Sequence, residues 1–159
     1  MKARIDLMHV NPGIIQAMFG LERQIRQAGF DHRMLDLMRM RASQINGCSY
    51  CLDMHSKDAR ANGETEQRLY GLDAWRETPY YSARERAALE WTEALTLVAE
   101  TRVPDDVYER VRAQFSDDEL VHLSLAIVAI NGWNRLNVAA RTVPGTYVAG
   151  SLEAVHAAS

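Results

Sequence analysis

The chain has 159 residues and a net charge of −3, with Lys and Arg interleaved among Asp and Glu, which excludes the clustered basic surface that nucleic-acid binding requires. Hydrophobic residues make up 47% and charged residues 25%, the balance of a soluble domain that buries its own core without disulfide staples. The apolar run Leu123 to Ile130 is far short of the ~20 residues that cross a bilayer, and Met1-Lys2-Ala3-Arg4-Ile5-Asp6 lacks the apolar region of a secretory signal, so a cytoplasmic protein without a membrane partner is expected.

In chain order, Asn11-Pro12 reads as an N-cap with proline in the first turn, opening a helix to about Ala28 that Gly29 closes. A second helix runs from about Asp31, with Met34, Leu35, Met38 and Ala42 at helical spacing, and ends at Asn46-Gly47. A third starts at about Cys48 and stops at Asn62-Gly63; a shorter one covers about Thr65 to Trp75 and leads to a loop at Thr78-Pro79-Tyr80-Tyr81. Ser82-Ala83-Arg84-Glu85 is a capping box, and its helix ends before Pro104. Pro104-Asp105-Asp106 places proline and two acids in another first turn, as the helix dipole favours. Ser116-Asp117-Asp118-Glu119 is a second capping box, opening a long helix to about Arg141 that Pro144 and Gly145 terminate.

No stretch alternates with period two, so strands are not expected. The expectation is all-α: one domain over 1–159, a bundle of six to seven helices. Its parts are an N-terminal helix at about 11–29, a redox core at about 31–63, C-terminal helices at about 82–141 and a tail at 145–159. The long helix is apolar on nearly all sides between Leu120 and Ile130, which places it in the middle of the bundle or at a subunit interface. The last dozen residues, rich in Ala, Gly and Ser, are expected to be loosely held or docked on a partner.

Chemistry concentrates in Cys48-Ser49-Tyr50-Cys51-Leu52-Asp53-Met54-His55. The chain has only two cysteines, and they sit three residues apart. A bridge closing so short a loop adds little stability, so a structural staple is a poor explanation. At i and i+3 near a helix start both sulfurs can share one face, and the exposed amides there favour thiolate over thiol. His55, one turn beyond Cys51, can take its proton or stabilise its thiolate. Asp36 lies twelve residues before Cys48 on the preceding helix, and two helices joined by so tight a turn can fold back until a carboxylate reaches the imidazole or thiol.

Blander readings stand beside these. CxxC plus histidine supplies three zinc ligands, and His32, His122 or an aspartate could complete the set; the cysteines could also be buried and inert. His55 alone would read as structural and Asp36 as a surface acid, while His9, His32, His122 and His156 have no comparable context. No glycine-rich nucleotide loop or flavin site occurs, so no cofactor is expected and reducing equivalents must come from outside.

The run Leu35-Asp36-Leu37-Met38-Arg39-Met40-Arg41-Ala42-Ser43-Gln44-Ile45-Asn46-Gly47-Cys48-Ser49-Tyr50-Cys51-Leu52-Asp53-Met54-His55 resembles the core motif of the alkylhydroperoxidase D-like proteins of the carboxymuconolactone decarboxylase superfamily. The likeness continues through Asn62-Gly63-Glu64, Ala74-Trp75-Arg76, the helix from Ser82 to Leu97, and Ile130-Asn131-Gly132-Trp133-Asn134-Arg135. It implies an all-helical fold assembled into homo-trimers or hexamers, and reduction of peroxides with an external dithiol or disulfide reductase as electron donor. It further implies that Cys51 attacks the peroxide, Cys48 closes the disulfide, and His55 relays protons with Asp36. Asp36 stands where the family usually has glutamate, a carboxylate arm shorter by one methylene. The superfamily's other branch, decarboxylation of a lactone acid, has no need of a cysteine pair; a non-enzymatic redox-sensing oligomer is the third reading.

Overall fold

The structure is a computed structural model describing residues 1–151. Among these residues are nine α-helices and no strand: α1 Leu7–Val10, α2 Pro12–Gln27, α3 His32–Asn46, α4 Ser49–Ala61, α5 Glu66–Tyr70, α6 Ala83–Thr96, α7 Val98–Thr101, α8 Asp105–Arg112 and α9 Asp117–Ala140. A 3-10 turn, Gly71–Glu77, follows α5 directly. No helix among the described residues is long and apolar enough to cross a membrane.

The helix ends are set by local chemistry. The Asp31 side chain accepts a hydrogen bond from the Arg33 amide and starts α3. Gly47 ends it at φ +65°, a left-handed conformation that glycine adopts without strain, and the Cys48 amide then donates back to the Ser43 carbonyl at 3.0 Å. Both serine capping boxes form, with Ser82 and Ser116 each exchanging hydrogen bonds with the glutamate three residues on.

Two single turns, α1 and α7, were not anticipated. The helix from Ser82 breaks at Leu97, and α7 then stops where Arg102 and Val103 turn to positive φ ahead of Pro104. The long helix α9 ends at a left-handed Arg141, where its end is expected.

Helix α3 is the axis of the packing, touching α4, α6 and α9. It buries apolar side chains on both sides. Met34, Leu35 and Met38 join Ile25, Trp91, Phe115, Leu123 and Ile127 in one cluster, while Leu37 and Met40 join Ala59, Leu72, Trp75 and Leu89 in another. Helix α9 buries Leu120, Leu123, Ile127 and Ile130 but leaves Val121 and Val128 69% and 59% exposed. It lines the bundle core on one side and presents an apolar stripe on the other.

The start of the tail is docked on its own chain. Lys57 donates to the carbonyls of Gly145 and Tyr147, at 3.3 and 3.0 Å, and the Tyr147 hydroxyl donates to the Asp58 carboxylate at 2.8 Å. Residues 152–159, the rest of the expected tail, lie outside the described residues.

A buried amide network ties α3 to α9 just before the cysteine turn. Asn46 donates to the side-chain oxygens of Asn131 and Asn134, at 3.0 and 2.9 Å, and Asn134 donates to Ser43 at 3.0 Å. Asn134 is fully buried, so its amide has no access to water if these partners are lost. Replacing Asn134 with alanine is expected to lower the unfolding free energy by about 2 kcal/mol in urea titration, whereas Val138→Ala on the exposed face should stay within about 0.5 kcal/mol.

Candidate active site

The site is built on the junction of α3 and α4. Gly47 turns the chain, and Cys48 then occupies the N-cap of α4, its Sγ accepting from the Cys51 amide at 3.4 Å. Cys48 and Cys51 are joined as a disulfide, with their α-carbons 5.4 Å apart, inside the ordinary span for such a bond. Both residues are only 1% exposed. The sulfurs therefore sit together at the positive end of a thirteen-residue helix, shielded from bulk water, where a thiolate released by reduction meets unpaired amides.

His55 lies one turn beyond Cys51 and is also buried. Burial, with the Arg39 charge adding to it, pushes its pKa down to about 3, so the ring is neutral in this state. An imidazolium–thiolate pair does not pre-exist here. The helix N-terminus carries the electrostatic bias toward thiolate.

Asp36 projects from α3 and is buried as well. Its carboxylate accepts from the Asn62 amide at 2.8 Å, and its other oxygen lies 3.8 Å from the Arg39 guanidinium. Among the described residues no hydrogen bond joins Asp36 to His55; the shorter acid is occupied by Asn62. Burial raises the Asp36 pKa, opposed by the Asn62 hydrogen bond and by Arg39.

Arg39 is the hub of this polar group. It donates to Glu22 at 2.8 Å, and Glu22 also accepts from the Trp133 ring nitrogen at 3.2 Å. The structure thus joins Cys48 to Cys51, sets His55 on the next turn of the same helix, and puts Asp36 on the neighbouring helix facing Asn62. Sequence reasoning did not single out Asn62, Arg39, Glu22 or Asn46. Asn62 was read as a helix stop, yet it lies seven residues beyond His55 on the same face; Arg39 lies three beyond Asp36. Among the described residues, no group of three His, Cys, Asp or Glu side chains is arranged to hold a metal ion.

The sequence profile of the carboxymuconolactone decarboxylase family matches residues 12–94. The uncharacterized protein YdfG of Bacillus subtilis is 42% identical over 139 residues, covering 87% of this chain and 95% of its own length.

The chain belongs to the carboxymuconolactone decarboxylase family.

Among solved structures of similar fold, the Agrobacterium tumefaciens protein ATU0492, of unknown function and provisionally assigned to antioxidant defence as AhpD, shares 43% identity. It superposes with a TM-score of 0.88, covering 92% of this chain and all of that one. The debrominase Bmp8 has the same fold at a TM-score of 0.74 and 20% identity, over 87% of this chain and 75% of its own. The carboxymuconolactone decarboxylase fold here is therefore of the AhpD-like kind, all-helical, with its CxxC at the start of a helix.

The buried histidine of this family member has a consequence for acid stability. The folded state holds His55 below its ordinary value of 6.5, so folding resists its protonation. That contribution is intact above about pH 6.5 and is lost as pH falls toward 3. Asp36, raised by burial, works in the opposite sense: its charged form opposes folding near neutrality, and this opposition fades as it protonates. Chemical unfolding at a series of pH values should show stability falling below pH 6.5, and His55→Asn should flatten that fall.

Proposed function

We propose that the protein is a thiol-dependent peroxidase that reduces hydrogen peroxide or organic hydroperoxides through a Cys48/Cys51 dithiol–disulfide cycle. The observation that carries this reading is the buried cysteine pair at the N-terminus of α4 with His55 one turn away. Lactone decarboxylation has no use for such a pair, so the pair favours the redox branch.

In the cycle, the Cys51 thiolate attacks one peroxide oxygen. The S–O bond forms as the O–O bond breaks, leaving a sulfenic acid on Cys51 and an alkoxide or hydroxide that takes up a proton. The Cys48 sulfur then attacks the Cys51 sulfur, the S–S bond forms, and the S–O bond breaks with loss of water. The peroxide gains two electrons and the dithiol loses them. An external dithiol or disulfide reductase returns them by thiol–disulfide exchange, where capping of the Cys48 sulfur by the Cys51 amide makes Cys48 the better leaving thiolate.

His55 serves as the relay. It is neutral in the disulfide state, and the charge of a newly released thiolate on the same helix face raises its affinity for a proton at the step that needs one. Asp36 is paired with Asn62 and lies beside Arg39, whose charge acts on His55. The expected homo-trimer or hexamer gives the exposed Val121 and Val128 stripe of α9 an occupant.

Cys51→Ser should abolish peroxide turnover in a steady-state assay with a small dithiol donor. Cys48→Ser should consume about one equivalent of peroxide and stop at a sulfenic acid, trapped by a dimedone adduct in intact-mass spectra. His55→Asn should lower kcat/KM by about 10²-fold or more. Full turnover in Cys51→Ser would contradict the assignment.

A further inference from the structure

A cleft of about 290 Å³ opens on the far side of Arg39, walled by the last turn of α2, the turn at Gly29 and the first two turns of α3. Its lining divides into two halves. Ile25, Phe30 and Leu35 form an apolar floor continuous with the main core cluster. Arg26, His32 and Arg39 supply the polar wall, and no acidic side chain lines the cleft.

The three basic groups are not equivalent. Arg39 is committed to Glu22 and Asp36. Arg26 and His32 are exposed; His32 interacts through space with the Asp36 carboxyl, and among the described residues no carboxylate lies within ion-pair distance of either side chain. In a chain of net charge −3, where most arginines on α3 to α8 are paired, an unpaired Arg26 over an apolar floor is an uncommitted anion receptor. Its planar fork suits a carboxylate, which accepts two parallel hydrogen bonds, and the floor suits a hydrocarbon chain.

We propose that this cleft binds an aliphatic carboxylate of about ten non-hydrogen atoms, its head group held by Arg26 and His32 and its chain laid on Ile25, Phe30 and Leu35. The length follows from volume, since a water-sized atom group occupies about 30 Å³. Arg39 links the cleft to the redox element. It lines the cleft, and its charge acts on His55. The catalytic consequence rests on the peroxidase reading: the preferred peroxide is a hydroperoxide carrying a carboxylate, bound by the end remote from the O–O bond.

Titration calorimetry with sodium octanoate tests the cleft without any turnover. The wild-type protein should show one saturable site, Arg26→Gln should weaken it about tenfold, and 1-octanol, which lacks the charge, should bind more weakly than octanoate. Absence of saturable binding, equal binding of octanol, or unchanged affinity in Arg26→Gln would overturn the proposal. A second arm compares kcat/KM for a hydroperoxy fatty acid and its methyl ester. The acid should be preferred by wild type, and that preference should shrink about tenfold in Arg26→Gln with hydrogen peroxide turnover unchanged. Octanoate binding without turnover of any peroxide upholds the cleft and sinks the peroxidase reading; peroxide turnover without octanoate binding does the reverse.

Discussion

The turn at Gly47 carries three duties within a few residues. It ends α3 through a left-handed glycine, it starts α4 with a cysteine sulfur as the cap, and it is anchored to α9 through hydrogen bonds from the half-buried Asn46 to the buried Asn131 and Asn134. Because the turn is short, α3 and α4 have to pack against each other, and α3 in turn is gripped by α6 and α9. The two sulfurs are thus held at one helix N-terminus, buried themselves, in a turn whose Gly47 and Ser49 are exposed.

The polar groups along α3 and α4 set the electrostatics around His55. Arg39 offsets Glu22 and Asp36, Asn62 satisfies one oxygen of Asp36, and His55 meets the cost of burial by staying neutral. The disulfide state is the one in which neutrality is easiest to hold. Reduction places negative charge at the start of α4, and the helix amides, the neutral imidazole and the Arg39 charge become the groups that respond to it. On the proposed peroxidase cycle, His55 is the buried group on the same helix that a newly released thiolate charge acts on.

Features determined by neighbours in sequence were legible in it. The helix start at Asp31, the Gly47 stop and the two serine boxes depend on contacts within four residues, and each lies where the local pattern puts it. The cysteine pair and His55 were legible for the same reason, since one helix carries all three. Asp36 was located on the right helix, but its partner was not legible: whether a carboxylate meets His55 or Asn62 depends on the rotation of α3 against α4 and on the length of its arm. Glu22 and Trp133 are separated by 111 residues, and no local pattern marks such a pair. The docking of Tyr147 on Asp58 was hidden likewise.

Whether the amides at the start of α4 make Cys51 unusually reactive toward peroxides is read most directly by rapid mixing of fully reduced protein with hydrogen peroxide, quenched at intervals with a thiol-alkylating reagent and analysed by mass. The account predicts that Cys51 is oxidised far faster than free cysteine in the same buffer, that a sulfenic acid comes first, and that a Cys48–Cys51 disulfide follows at the same overall yield. Oxidation at the rate of an ordinary free thiol, or first at Cys48, would contradict it.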